Sequence, residues 1–199
     1  MIKQAVRAAA VLAAGLAGTI ALAAPGHAAV PGGATPGSAA VVSYEDAVPG
    51  LAPAGATGVY LDRQGRRIAQ PASGPASSAQ PQALLGCTPE SGRDNPHYSS
   101  GDVSGHGWWK KGSCTADTAH VYNCLYEWYT DASWRQKACS PTKQLRPYTG
   151  SGDRTVARAT CNSTGQTISW RNHVDVDVDG QIDSSEWPYN QANVNCVVN

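Results

Sequence analysis

From Thr167 to Val178 apolar and polar residues alternate along the chain. Ile168, Trp170, Val174, Val176 and Val178 fall on one side, and Thr167, Ser169, Arg171, His173, Asp175 and Asp177 on the other, with Asn172 alone breaking the apolar set. A period of two marks a β-strand with one buried face, so the polar set is expected at solvent. Arg154 to Cys161 reads as a shorter strand before it, joined through Asn162-Ser163-Thr164-Gly165. Ala192 to Val198 reads as a closing strand with Val194, Cys196 and Val198 on one side.

A hairpin is predicted from Ala119–Tyr129 and Trp134–Cys139, which flank the turn-forming residues Thr130-Asp131-Ala132-Ser133. Setting Tyr129 against Trp134 places Leu125 against Ala138 on one face, and Tyr126 against Lys137 and Trp128 against Arg135 on the other. The same register sets Cys124 directly opposite Cys139, which predicts a cross-strand disulfide. No segment from residue 86 onward shows a helical apolar period. The expected fold is all-β, a small disulfide-stapled antiparallel sandwich or barrel of about 114 residues.

Ahead of it the pattern changes twice. Lys3 and Arg7 precede an uncharged apolar run from Ala8 to Ala24, and Gly26-His27-Ala28 follows, the three-part order of a secretory signal. Cleavage is expected near Ala28, because a run of Ala and Gly is a weak stop-transfer segment despite its length. An uncleaved anchor is the alternative. No second membrane segment follows. Residues 29–85, dominated by Ala, Pro, Gly and Ser, carry too few large apolar side chains to offset their ordering entropy, and read as a disordered linker or pro-segment. Within them Gly58 to Ile68 suggests a short hairpin around Gln64-Gly65, and Arg66-Arg67 a processing site.

All six cysteines, Cys87, Cys114, Cys124, Cys139, Cys161 and Cys196, lie in the expected domain, residues 86–199. An even number behind an export signal reads as three disulfides, and the absence of a Cys-x-x-Cys pair argues against zinc or redox roles. For the pairs other than Cys124 with Cys139, Cys87 with Cys114 and Cys161 with Cys196 are preferred because each closes a contiguous segment.

Ten basic against twelve acidic residues leave this domain at about −2, with no basic stripe for nucleic acid. Five of the acids fall between Asp175 and Glu186. That stretch resembles the twelve-residue calcium loop of EF-hands and related bacterial repeats. The resemblance implies carboxylate ligands from Asp175, Asp177 and Asp179, the backbone carbonyl of Gln181, a water-mediated contact from Asp183, a bidentate Glu186 and a sharp turn at Gly180. The β-alternation through Val174, Val176 and Val178 argues against an entering helix, and Pro188 shortens any exiting one. The alternative is an acidic strand ending in an Asp179-Gly180 turn that needs no metal.

Phenylalanine is absent, and all six tryptophans lie in the domain. Tyr122, Tyr126 and Trp128 beside Arg135 and Lys137 form the expected binding platform on the hairpin. The alternative is that these rings pack the core. The common hydrolase and phosphate-loop motifs are missing. His97, His106, His120 and His173, and the polar stretch Ser99–Gly107, are the residues from which a site assembled in space would be built. Asn162-Ser163-Thr164 matches a glycosylation acceptor, which a bacterial exporter would leave unused.

As a whole the chain resembles the small cysteine-containing secreted proteins of actinobacteria. The resemblance rests on the Ala-rich export segment, the Ala/Pro/Gly linker and the strand Trp170-Arg171-Asn172-His173-Val174-Asp175-Val176-Asp177. It implies secretion and a β-rich domain, and carries over no catalytic residues. The expected function is a monomeric extracellular binding or structural domain for a ligand at or near the cell envelope, with Ca2+ as its candidate cofactor. A secreted hydrolase or nuclease with a spatially assembled His/acid site is the alternative.

Overall fold

Two eleven-residue strands, Ala119–Tyr129 (β6) and Ile168–Val178 (β10), lie antiparallel at the centre of the fold. The structure, a computed structural model, describes residues 45–69, 86–183 and 186–199. The expected export segment, residues 1–28, lies outside the described residues. Tyr189–Val194 (β11) pairs with the far edge of β10, and Ser133–Cys139 (β7) and Lys143–Leu145 (β8) pair with the other edge of β6. Val59–Leu61 (β1) and Arg67–Ile68 (β2) extend this sheet beyond β7. In the second sheet Asp102–Lys110 (β5) is the middle strand, with Thr155–Thr160 (β9) along one edge. Glu90–Arg93 (β3) and His97–Ser99 (β4) follow one another along its other edge. The chain is an all-β sandwich with no helix among the described residues.

The even-numbered residues of β10 face the second sheet, as the alternation predicts. Ile168 and Trp170 pack with Val103 and Leu125 at one end, and Val174 and Val176 with Trp109 and Val121 at the other. Each such side chain stabilises the fold by about 1.5–3 kcal/mol on burial. Asn172 interrupts the apolar face because it bridges the sheets. Its Oδ1 accepts from Asn123 Nδ2 at 2.9 Å, and its own Nδ2 donates to the His106 carbonyl at 2.9 Å. Asn123 also donates to the Gly105 carbonyl and accepts from Thr155 Oγ1, so the buried amides are paired. Gly105 makes room for this bridge, since a Cβ there would stand 2.6 Å from Asn172 Cγ.

The odd-numbered face of β10 departs from expectation. Arg171 and His173 are buried, not solvent-facing, and so are Tyr60, Tyr126, Trp128, Trp134 and Trp187 around them. Residues 45–69, expected within a disordered linker, form part of their cover. The segment docks through its backbone: Gly50 N donates to Trp128 O, Ser169 N to Gly50 O, Thr130 N to Val48 O, and Ala52 N to Ser169 Oγ. β1 then pairs parallel to β7, setting Tyr60 beside Trp134, so the larger sheet is mixed where antiparallel pairing was expected. The expected hairpin around Gln64-Gly65 is present as β1–β2. Composition misplaced this segment because its attachment depends on main-chain hydrogen bonds and one tyrosine, which hydrophobicity does not register.

The hairpin register holds at its far end and slips near the turn. Cys124 faces Cys139 and Leu125 faces Ala138, but a bulge after Leu125 then sets Tyr126 against Gln136, Trp128 against Trp134 and Tyr129 against Ser133. The connection contains Ala132 at φ 59°, a left-handed residue that closes a shorter loop than the four residues expected. The three disulfides are Cys87–Cys114, Cys124–Cys139 and Cys161–Cys196.

Candidate functional site

The hairpin platform does not exist as an exposed surface. Tyr126 is fully buried and Trp128 nearly so, beneath residues 45–69 and Trp187, while Tyr122 is half-buried and hydrogen-bonds Asp175. Arg135 and Lys137 are on the opposite face, because a one-residue slip in register exchanges the two sides of a strand. Arg135 pairs with Asp131 at 2.9 Å and stands over the Tyr129 ring, and Lys137 reaches buried Glu127 at 3.1 Å. Burial raises the Glu127 carboxyl above its ordinary value, against the pull of that lysine.

The acidic stretch is a strand followed by a turn. Asp175 and Asp177 belong to β10, and Gly180 adopts φ 68° in the turn beyond it. Asp179 accepts from Thr118 Oγ1 and Gln144 Nε2, beside His120 Nε2 at 3.3 Å, and these donors hold its carboxyl below the usual range. Gln181 engages through its side chain, accepting from Thr115 N and Ala116 N, and Asp183 Oδ2 accepts from Val178 N at 2.6 Å. Glu186 is exposed, and residues 184 and 185 lie outside the described residues. Burial, reinforced by Asp177 and Asp183, raises the Asp175 carboxyl to about 6, and burial also raises Asp183. Among the described residues the carboxylates of this stretch do not converge to the spacing of a shared metal shell.

His173 is not available for chemistry. Its Nδ1–H donates to Trp187 O at 2.9 Å and its Nε2 accepts from the Tyr60 hydroxyl at 3.0 Å, an arrangement of the neutral ring. Burial pushes its pKa down to about 3. His120 is half-exposed at the acidic end of the larger sheet.

His97 and His106 converge on the smaller sheet. β3 pairs with residues 107–110 of β5 and β4 with residues 102–104, which leaves a gap along the β5 edge at Gly105-His106. Asp94-Asn95-Pro96 crosses that gap, and Asp94 Oδ1 takes the place of a strand partner, accepting from His106 N at 2.7 Å. Asp94 Oδ2 lies 2.6 Å from His106 Nδ1 and 3.9 Å from His97 Nδ1, and the two imidazoles stack 5.6 Å apart. Buried Asn172 donates to the Asp94 carbonyl at 3.1 Å, tying this cluster to the core. No family model and no curated protein matches this chain.

The same sheet carries an aromatic cleft. Ser104, His106 and Trp108 alternate with Val103, Gly105, Gly107 and Trp109, so Trp108 points away from the sandwich core. Its ring lies flat against Gly92, opposite it in register, where a Cβ would meet Nε1 at 2.0 Å. Tyr148, anchored by its N–H to Trp109 O, tilts against Trp108 at 5.0 Å. With Glu90, Arg93, Lys110 and Asn190 they line a cleft of about 440 Å³. Neither Asp94 nor this cleft was singled out in the sequence, because no spacing rule links residues 92, 108, 148 and 190. The available signal was the Asp94-Asn95-Pro96 break and the Gly-His-Gly step at residues 105–107.

Proposed function

We propose that this chain is an exported, extracellular binding domain that acts as a monomer, and that its ligand is a polar, ring-bearing molecule of the cell-envelope glycan class. The Trp108–Tyr148 pair carries this reading. Tyr148 is exposed and Trp108 half-buried in the cleft, and hydrogen-bonding side chains of both charges surround them, the combination that stacks on a sugar ring and orients its hydroxyls. The three disulfides are compatible with an oxidising compartment. No helix among the described residues is long and apolar enough to cross a membrane. The test is retention of the oxidised chain on peptidoglycan sacculi, chitin, cellulose and xylan, beside Trp108→Ala. Retention on one of these, lost in the variant, supports the proposal. Absence of retention on all four, or equal retention of both proteins, removes it.

Calcium is the candidate stabiliser of the acidic end. Asp175, Asp177 and Asp183 repel one another, and a hard cation would relieve that repulsion once the carboxylates, which do not converge in the metal-free protein, draw together around it.

The second reading, a secreted hydrolase or nuclease, is favoured by the 2.6 Å contact of Asp94 with His106, which fixes the ring as a general base requires. It ranks lower because the hydrogen bonds described for the His106 ring go to Asp94 alone, with no serine hydroxyl among its partners. Turnover of a chromogenic ester or phosphodiester that disappears in His106→Ala would reverse the ranking.

A further inference from the structure

We propose that Asp94, His97 and His106 form a binding site for a divalent transition-metal ion of the zinc class. Each residue presents one ligand atom, and the three atoms lie within 4.8 Å of one another. Two imidazole nitrogens and one carboxylate oxygen are the donor set that such ions take, and imidazole disfavours calcium and magnesium, which require oxygen.

The surroundings are those of a built site. Asp94 Oδ1 is held by the His106 N–H, and its carbonyl by Asn172, which is itself buried and fixed by Asn123. The carboxylate is therefore oriented from the core, with Oδ2 turned to the two rings. Outer contacts of this kind orient ligands in metal centres. In the metal-free protein the 2.6 Å contact between Asp94 Oδ2 and His106 Nδ1 is a hydrogen bond. Ligands about 2.1 Å from a tetrahedral ion stand roughly 3.4 Å apart, so the ion takes the place of the proton between the pair as the two atoms open by under about 1 Å. His97 supplies the compliance, because its side chain is 44% exposed on the short strand β4, and closing onto the ion exchanges the hydrogen bond of its Nδ1–H to the Asn95 carbonyl, 3.0 Å, for the metal bond.

Three protein ligands leave a tetrahedral ion one open position. That position would take a water or a small anionic ligand; of the three ligands, His97 also lines a cavity of about 650 Å³ with Pro96, Tyr98, Thr164, Asn193 and Asn195. One carboxylate and two neutral imidazoles leave the bound ion with a net positive charge, which favours an anion there. The site is separate from the Trp108–Tyr148 cleft, and neither proposal depends on the other.

The experiment uses the full oxidised chain without a polyhistidine tag, stripped with chelator and dialysed. Zn2+ is titrated by calorimetry and Co2+ by visible absorption, beside His97→Ala, His106→Ala and His120→Ala. The expected result is one ion per chain with micromolar or tighter affinity, and a Co2+ ligand-field spectrum of low coordination number. Affinity should fall at least tenfold in His97→Ala and His106→Ala, and stay unchanged in His120→Ala, whose ring belongs to the other sheet. His97 is peripheral enough for its variant to fold, which an unchanged circular-dichroism spectrum verifies. Failure of wild type to bind at millimolar metal, or equal binding by wild type and His97→Ala, overturns the proposal. Polysaccharide retention of His97→Ala should match wild type, so failure here is distinguishable from failure of the glycan reading.

Discussion

The Arg171 guanidinium donates to the hydroxyl of Tyr60, 111 residues earlier in the chain, at 2.5 Å. The same guanidinium donates to the Ala56 carbonyl at 2.6 Å and to Gln191 Oε1 at 2.9 Å, between the rings of Trp134 and Tyr189. The Tyr60 hydroxyl then donates to His173 Nε2. One tyrosine thus satisfies a buried cation and a buried imidazole and ties residues 45–69 to the sandwich. Removing either partner leaves a buried polar group unpaired, which costs more than the bond itself contributes.

Tyr60→Phe should therefore destabilise the domain by about 2–4 kcal/mol, although it removes only an oxygen. Urea denaturation of the oxidised protein measures this. A change below about 0.5 kcal/mol would show that the contact is dispensable.

A chain beginning at residue 70 should lose this node and expose Tyr126, Trp128 and Trp134. It is expected to bind a hydrophobic fluorescent dye and to aggregate at concentrations where the longer chain stays monomeric, as size-exclusion chromatography would register.

Acid stability should depend on two opposed groups. His173 is depressed to about 3, so the stability it contributes is present above its ordinary value of 6.5 and is lost as pH falls toward 3. Asp175 is raised to about 6, so its contribution is present below 3.8 and is lost as pH rises through 6. The slopes oppose each other between about pH 4 and 6, and Asp175→Asn should unmask that of His173. Denaturation across this range should show stability falling toward acid more steeply in the variant, by up to about 1.4 kcal/mol per pH unit.

Calcium should act through the same carboxylates. With chelator at pH 7.5, Asp175→Asn should melt roughly 4 °C higher than wild type, corresponding to about 1 kcal/mol of relieved repulsion. Millimolar calcium should raise wild type and leave the variant nearly unchanged. Identical wild-type melts with calcium and with chelator would return the stretch to an acidic strand and turn.

Gly92→Ala should displace the Trp108 ring, since the added Cβ meets Nε1 at 2.0 Å. Glycan retention should fall with little change in melting temperature, because Trp108 is not part of the core, and a shift in tryptophan fluorescence should accompany it.

Strand placement in this protein is local information. The twofold period from Thr167 to Val178, the turn residues between β6 and β7 and the even cysteine count each act within a few residues, and they specified the all-β fold and the Cys124–Cys139 pair. What lies over a strand is not local. Arg171, His173, Tyr126 and Trp128 occupy positions that look identical in sequence whether water or another segment covers them. Their burial follows from a docking segment whose main-chain hydrogen bonds leave no mark in composition. A one-residue bulge after Leu125 decided which side Arg135 and Lys137 face, because register sets side and a single slip reverses it. The Asp94–His97–His106 cluster depends on a break in edge pairing that brings a connecting carboxylate onto a neighbouring strand. The aromatic cleft draws on residues from 90 to 190, and only the packing of the two sheets brings those chemistries together.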